Sequence, residues 1–134
     1  MASRLFKRGR LLHLRNEPVK LWAKVTIGAT GAPTLVTANN ESKGVASIVR
    51  NSTGYYTLTL NDVYSAFLGL VVTPLLAGPA DWALRWQLRA VTLASKTVEV
   101  EFRDATEAGT NGDVTDPASG AVVYFELTLA NTPK

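Results

Sequence analysis

From Tyr55 to Leu60 the chain alternates strictly: Tyr56, Leu58 and Leu60 fall on one side, Tyr55, Thr57 and Thr59 on the other. A period of two is the mark of a half-buried β-strand, because successive side chains of an extended chain point to opposite faces. The same period recurs along the chain. Val19, Leu21, Ala23, Val25 and Ile27 alternate with Lys20, Trp22, Lys24 and Thr26. Trp82, Leu84, Trp86 and Leu88 alternate with Arg85 and Gln87, and Val98, Val100 and Phe102 with Glu99, Glu101 and Arg103. Val123, Phe125, Leu127 and Leu129 close the series within Ala121–Leu129. Turn chemistry separates these runs, as in Asn51-Ser52-Thr53-Gly54, where Gly54 is free to take a positive φ.

Other stretches follow different patterns. Thr34–Ala38 reads as a short strand and Asn39–Gly44 as a polar loop, and Ala90–Leu93 changes phase as at a bulge or bend. Asn61-Asp62 predicts a cap on a helical turn over Val63–Leu68, with Tyr64, Phe67 and Leu68 sharing a face. Gly69–Leu76 is nearly all apolar and predicts a central strand buried on both faces, with Pro74 at its end or at a bulge. Asp104–Gly120 reads as a long Gly/Asp/Thr-rich loop. Together these predict an all-β protein: an antiparallel β-sandwich, jelly-roll-like, of about eight strands, with an extended basic N-terminal arm. Residues 1–18 form the arm and 19–134 the sandwich domain. A chain of 134 residues suits one such domain.

Charge is unevenly spread. Residues 1–24 hold seven basic residues against Glu17, a balance of +6, whereas the remainder holds seven basic and ten acidic residues, a balance of −3. A basic arm on a mildly acidic body predicts that the arm meets a negative surface. In the arm Arg4, Lys7, Arg8, Arg10 and Arg15 interleave with Leu5, Phe6, Leu11 and Leu14. That mixture superficially resembles a transit peptide or a membrane-surface segment. The expectation here is a retained arm that orders against a partner. The outward Lys20-Trp22-Lys24 row joins it as candidate contact surface, towards a neighbouring subunit or, alternatively, a nucleic-acid strand.

Catalytic chemistry finds little footing. The chain has no cysteine, which removes disulfides, thiolate nucleophiles and thiolate metal sites. His13 is its single histidine and lies in the arm, away from any serine–acid constellation. Glu99 and Glu101 share one strand face and read as exposed charge beside Arg103, since glycosidase pairs sit across a cleft. Asp104, Glu107, Asp113 and Asp116 miss the EF-hand spacing. Neither an enzyme, nor a cofactor, nor a metal is expected. No apolar run approaches the roughly 18 residues of a membrane-spanning helix.

Gly54, Tyr56, Leu58, Leu60, Asp62 and Tyr64 fit a G-x-Y-x-L-x-L-x-D-x-Y strand and turn; Lys96, Thr97 and Val98 fit a K-T-V hairpin; Asp116, Pro117, Val123, Phe125 and Leu127 fit a DP…V-x-F-x-L ending. In these pieces, which cover about the last two-thirds of the chain, the sequence resembles small β-sandwich structural proteins of tailed-bacteriophage virions. The resemblance implies a non-enzymatic capsid decoration, or cement, protein on the capsid surface, made in the host cytoplasm. It implies the major capsid protein as partner and a homo-oligomer, trimer or dimer, with no small-molecule substrate, nucleic acid or membrane. The alternative is a carbohydrate-binding accessory module of a tail or head fibre, with Trp22 or Tyr55 exposed in a shallow groove. The arm lies outside the resemblance, and its role follows from its charge and apolar content.

Overall fold

Eight strands form two four-stranded antiparallel sheets in the computed structural model, which describes residues 18–77, 84–104 and 112–130. In chain order they are β1 (Pro18–Ile27), β2 (Pro33–Val36), β3 (Val45–Ser52), β4 (Tyr55–Leu60), β5 (Ala66–Leu75), β6 (Leu84–Thr92), β7 (Thr97–Asp104) and β8 (Val122–Ala130). One sheet runs β2-β1-β8-β5 and the other β3-β4-β7-β6. Residues 1–17 of the expected arm, His13 among them, and Trp82 lie outside the described residues, while Pro18 already belongs to β1.

The four strands with the cleanest alternation occupy the centres of the sheets. β1 and β8 contribute Leu21, Ala23, Val25, Ile27, Val123, Phe125, Leu127 and Leu129 to the core; β4 and β7 contribute Tyr56, Leu58, Leu60, Val98, Val100 and Phe102. Each side chain is buried, and burying one of this size is worth roughly 1.5–3 kcal/mol. Phe102 joins the layers: its ring meets Tyr56 edge-on at 5.5 Å and Phe125 of the opposite sheet at 6.5 Å. Such edge-to-face pairs fix ring orientation as well as filling volume.

Hairpins β1–β2, β3–β4 and β6–β7 stay within a sheet, while the other connections cross between sheets. The expected antiparallel β-sandwich of about eight strands is therefore met, as eight strands in two four-stranded sheets. Counted from β3, the pairing order itself is ABED on one sheet and CFG on the other, with β2 added beyond G. That is the strand order of a constant-type immunoglobulin domain, with the chain opened between F and G. One consequence concerns the ends. Pro18 pairs with Ala130, and Ala130 also pairs with Ala66, so β1 begins, β8 ends and β5 begins at one end of the sandwich.

Two local expectations are corrected. Val63–Leu68 forms no helical turn: Ser65 donates from its backbone N–H and its hydroxyl to the Ala130 carbonyl, at 3.0 and 2.8 Å, and the chain is extended from Ala66. The apolar run that follows is not a central strand buried on both sides. β5 lies at the edge of its sheet, and Leu68, Val71 and Leu75 are more than half exposed. The phase change after Leu88 is a bulge between Leu88 and Ala90, as expected, and Gly54 has a φ of +72°.

Candidate interaction surface

The outer face of the first sheet is built by the residues that alternate with the core. Lys20, Trp22 and Lys24 stand on β1, Tyr124 and Glu126 beside them on β8, and Val71 and Thr73 beyond on β5, because Trp22 pairs with Glu126 and Glu126 with Val71. Trp22, Val71, Thr73, Tyr124 and Glu126 border a shallow depression of about 230 Å3. The two outer aromatics, Trp22 and Tyr124, are 39% and 40% exposed.

The lysines of this row are matched within the domain. Lys20 Nζ lies 2.6 Å from Glu126, and Lys24 Nζ 3.0 Å from Glu41. The Glu41 hydrogen bond holds the Lys24 ammonium above its ordinary pKa. Trp22 donates its indole N–H to the Asn40 carbonyl at 2.9 Å, and the Lys43 ammonium sits 5.7 Å from its ring centre. A nucleic-acid strand would have to displace carboxylates from both lysines, so the row is a poor phosphate track.

The two aromatics named for a glycan groove are not brought together. Tyr55 lies on the outer face of the other sheet, on β4, and the Arg89 guanidinium covers its ring at 3.9 Å. Nor is Glu101 surface charge, as its alternation had predicted. It is 4% exposed, accepts from Gln87 at 3.0 Å and is hydrogen-bonded by Arg103. Arg103 also donates to the Gly112 carbonyl, so it ties β7 to the chain that returns towards β8. Arg85, Trp86, Gln87, Glu101 and Arg103 line a cleft of about 310 Å3.

Among the loop acids, Asp116 has a structural task that sequence reading missed. Arg50 grips its carboxylate with Nε at 3.0 Å and Nη2 at 2.7 Å, and the Gly54 N–H donates to it at 2.8 Å. The Tyr56 hydroxyl lies 3.0 Å from the same carboxylate and 2.7 Å from the Gly31 carbonyl, so its one proton serves two acceptors. Burial pushes the Asp116 carboxyl up, but Arg50, Gly54 and Tyr56 outweigh it and hold the group below its ordinary value. Burial and then Asp116 push the Tyr56 hydroxyl well above its own, so it stays a donor. A side chain at Gly31 would run into Asp116, and one at Gly54 into Val114 and the Phe102 carbonyl. No cluster of three or more metal-ligating side chains occurs among the described residues.

Sequence reasoning found Lys20, Trp22 and Lys24, which the fold gathers on one face. It missed Tyr124, Val71, Thr73, Leu68 and Leu75. The available signal was the absence of any charge from Ala66 to Leu75, since an apolar run such as Gly69–Leu76 fits an exposed outer row as well as full burial. Comparison with protein-family models, curated proteins and solved structures finds no match for this chain.

Proposed function

We propose that this chain is a non-enzymatic structural protein of a tailed-phage virion, a decoration protein that binds the major capsid protein lattice through its N-terminal arm. The observation that carries this reading is how positive charge is divided. Lys20 and Lys24 are neutralised by Glu126 and Glu41, so the surplus belongs to residues 1–17, where Arg4, Lys7, Arg8, Arg10 and Arg15 face only Glu17. The arm leaves from the corner where Pro18 meets Ala130, beside the start of β5. The sandwich then serves as a stable outer body and the arm as its anchor on an acidic groove.

Burying Leu5, Phe6, Leu11 and Leu14 in that groove contributes roughly 1.5–3 kcal/mol each before ordering costs are subtracted. The arginines and lysines set register and make the contact salt-sensitive. Many copies on one lattice hold far more durably than one copy alone. The test is co-sedimentation with DNA-filled particles. The full chain is expected to pellet with them in hundreds of copies, and a chain lacking residues 2–15 to stay in the supernatant while keeping its folded spectrum. Equal binding by the shortened chain would refute the anchor. Recovery of the full chain in only a handful of copies per particle would move it to the tail or fibre.

A further inference from the structure

Four strands lie at sheet edges, and three of them carry devices that discourage further pairing. β2 is four residues long and opens with Pro33. β3 is broken by register shifts at Val45/Ser47 and at Arg50/Ser52. β6 bears Arg85 and Arg89 and a bulge between Leu88 and Ala90. β5 differs. It is ten residues long and holds no charged side chain, and its register on β8 runs unbroken from Gly69 to Leu75. Its own irregularities sit near its ends, a shift at Phe67/Gly69 and the missing N–H of Pro74. Val71, at the middle of the stretch between them, is 56% exposed.

We infer that β5 pairs antiparallel with β5 of a second copy of this chain, across a two-fold axis at Val71, joining the two four-stranded sheets into one of eight strands. An isologous pair needs a self-complementary edge, and an uncharged one qualifies because no charge meets its own copy. Centred on Val71, the pairing sets Gly69 opposite Thr73 of the partner subunit and leaves both Pro74 residues outside the central ladder. The adjacent carboxylate, Glu126, is held by Lys20 at 2.6 Å and brings no bare charge to the seam.

Charge also selects this occupant over the basic arm. Among the described residues, the carboxylate that stands beside β5 for the arm's bases is Glu126, already engaged, and an acidic partner strand would find no cation on β5 itself. The pairing deepens the assembly part of the proposed function, on which its biological meaning rests. The two arms would leave near the two Ala66 positions, about 33 Å apart at 3.3 Å per residue, placed to grip two sites on a lattice.

The test is the mass of the full-length protein by sedimentation equilibrium, without particles, so its outcome is separate from arm binding. Wild type is expected to be a dimer, and Val71→Lys and Val71→Glu each a monomer, with dimerisation weakened about a hundredfold or more by like charges at the axis. Because Val71 meets its own copy, an equimolar mixture of the two variants is expected to form a heterodimer. Val49→Lys, at an exposed position on the opposite sheet, should leave the wild-type dimer intact. Three results would overturn the inference: a monomeric wild type, a dimer that survives both Val71 substitutions, or a dimer lost on removal of residues 2–15.

Discussion

The corner around Asp116 and the edge at β5 sit on the same sandwich and follow opposite rules. At the corner, each strong polar group is answered from within: Arg50, Gly54, Tyr56 and Gly31 converge on one carboxylate or share its donors. That corner locks the β3–β4 hairpin to the segment that leads into β8. At the edge, a ten-residue strand offers an apolar outer row and a backbone flank that no other strand among the described residues pairs with. The contrast separates stability from association. A region that satisfies its own groups is stiff and closed, and one that leaves groups unanswered is where a partner gains most.

If the corner is a closed network, removing its centre must cost heavily. Asp116→Ala leaves the guanidinium, the Gly54 N–H and the Tyr56 hydroxyl short of an acceptor, and is expected to lower unfolding free energy by about 2–4 kcal/mol in urea titrations. A loss under about 1 kcal/mol would mean that water replaces the carboxylate and the corner is open after all. Gly54→Ala tests the backbone that brings the corner together. The φ of +72° and the clash with Val114 predict a loss of about 1–3 kcal/mol, and an unchanged denaturation midpoint would disprove the constraint.

The corner also has a pH signature. The Asp116 carboxyl is depressed in the fold, so its contribution is present above the ordinary value of 3.8 and is lost as pH falls through the folded-state value. The Tyr56 hydroxyl is raised, so its contribution is complete below the ordinary value of 10.0 and is lost as pH rises above it. Melting temperature should therefore drop below about pH 4 and again above about pH 10, and Asp116→Asn should flatten the acid limb. An acid limb unchanged in that variant would assign it to other carboxylates.

The open side should behave in the reverse way. Val71→Lys is expected to change monomer stability by no more than about 0.5 kcal/mol while abolishing self-association. Lys20→Ala, which removes an ion pair whose side chains are 62% and 48% exposed, should cost under about 0.5 kcal/mol, less again in high salt. A large stability loss from either would mean that the outer face is part of the core it covers.

Much of this architecture was legible before folding was considered. β1, β4, β7 and β8 announce themselves by alternation, and their alternating apolar residues form the core. β5 was legible as a strand but not as an edge. An uncharged run such as AFLGLVVTPL reads the same whether it is enclosed by neighbours on both sides or left open for a partner copy. The helical turn predicted over Val63–Leu68 failed because Ser65 bonds to Ala130, 65 residues away. Asp116 looked like one loop acid among several, because its chief partner, Arg50, lies 66 residues back. Glu101 sits in an alternating pattern that says exposed, yet Arg103 and Gln87 roof it over.

Local pattern was thus enough for an all-β chain, for most of its strands, for the inward-facing residues and for the excess of basic residues ahead of β1, since strand periodicity and charge are properties of neighbouring residues. Which strands lie at the edges, which carboxylate answers which cation, and which apolar residues stay exposed were settled only when the sheets assembled. Those outcomes depend on pairings between residues far apart in the chain, and no local window contains both members of such a pair.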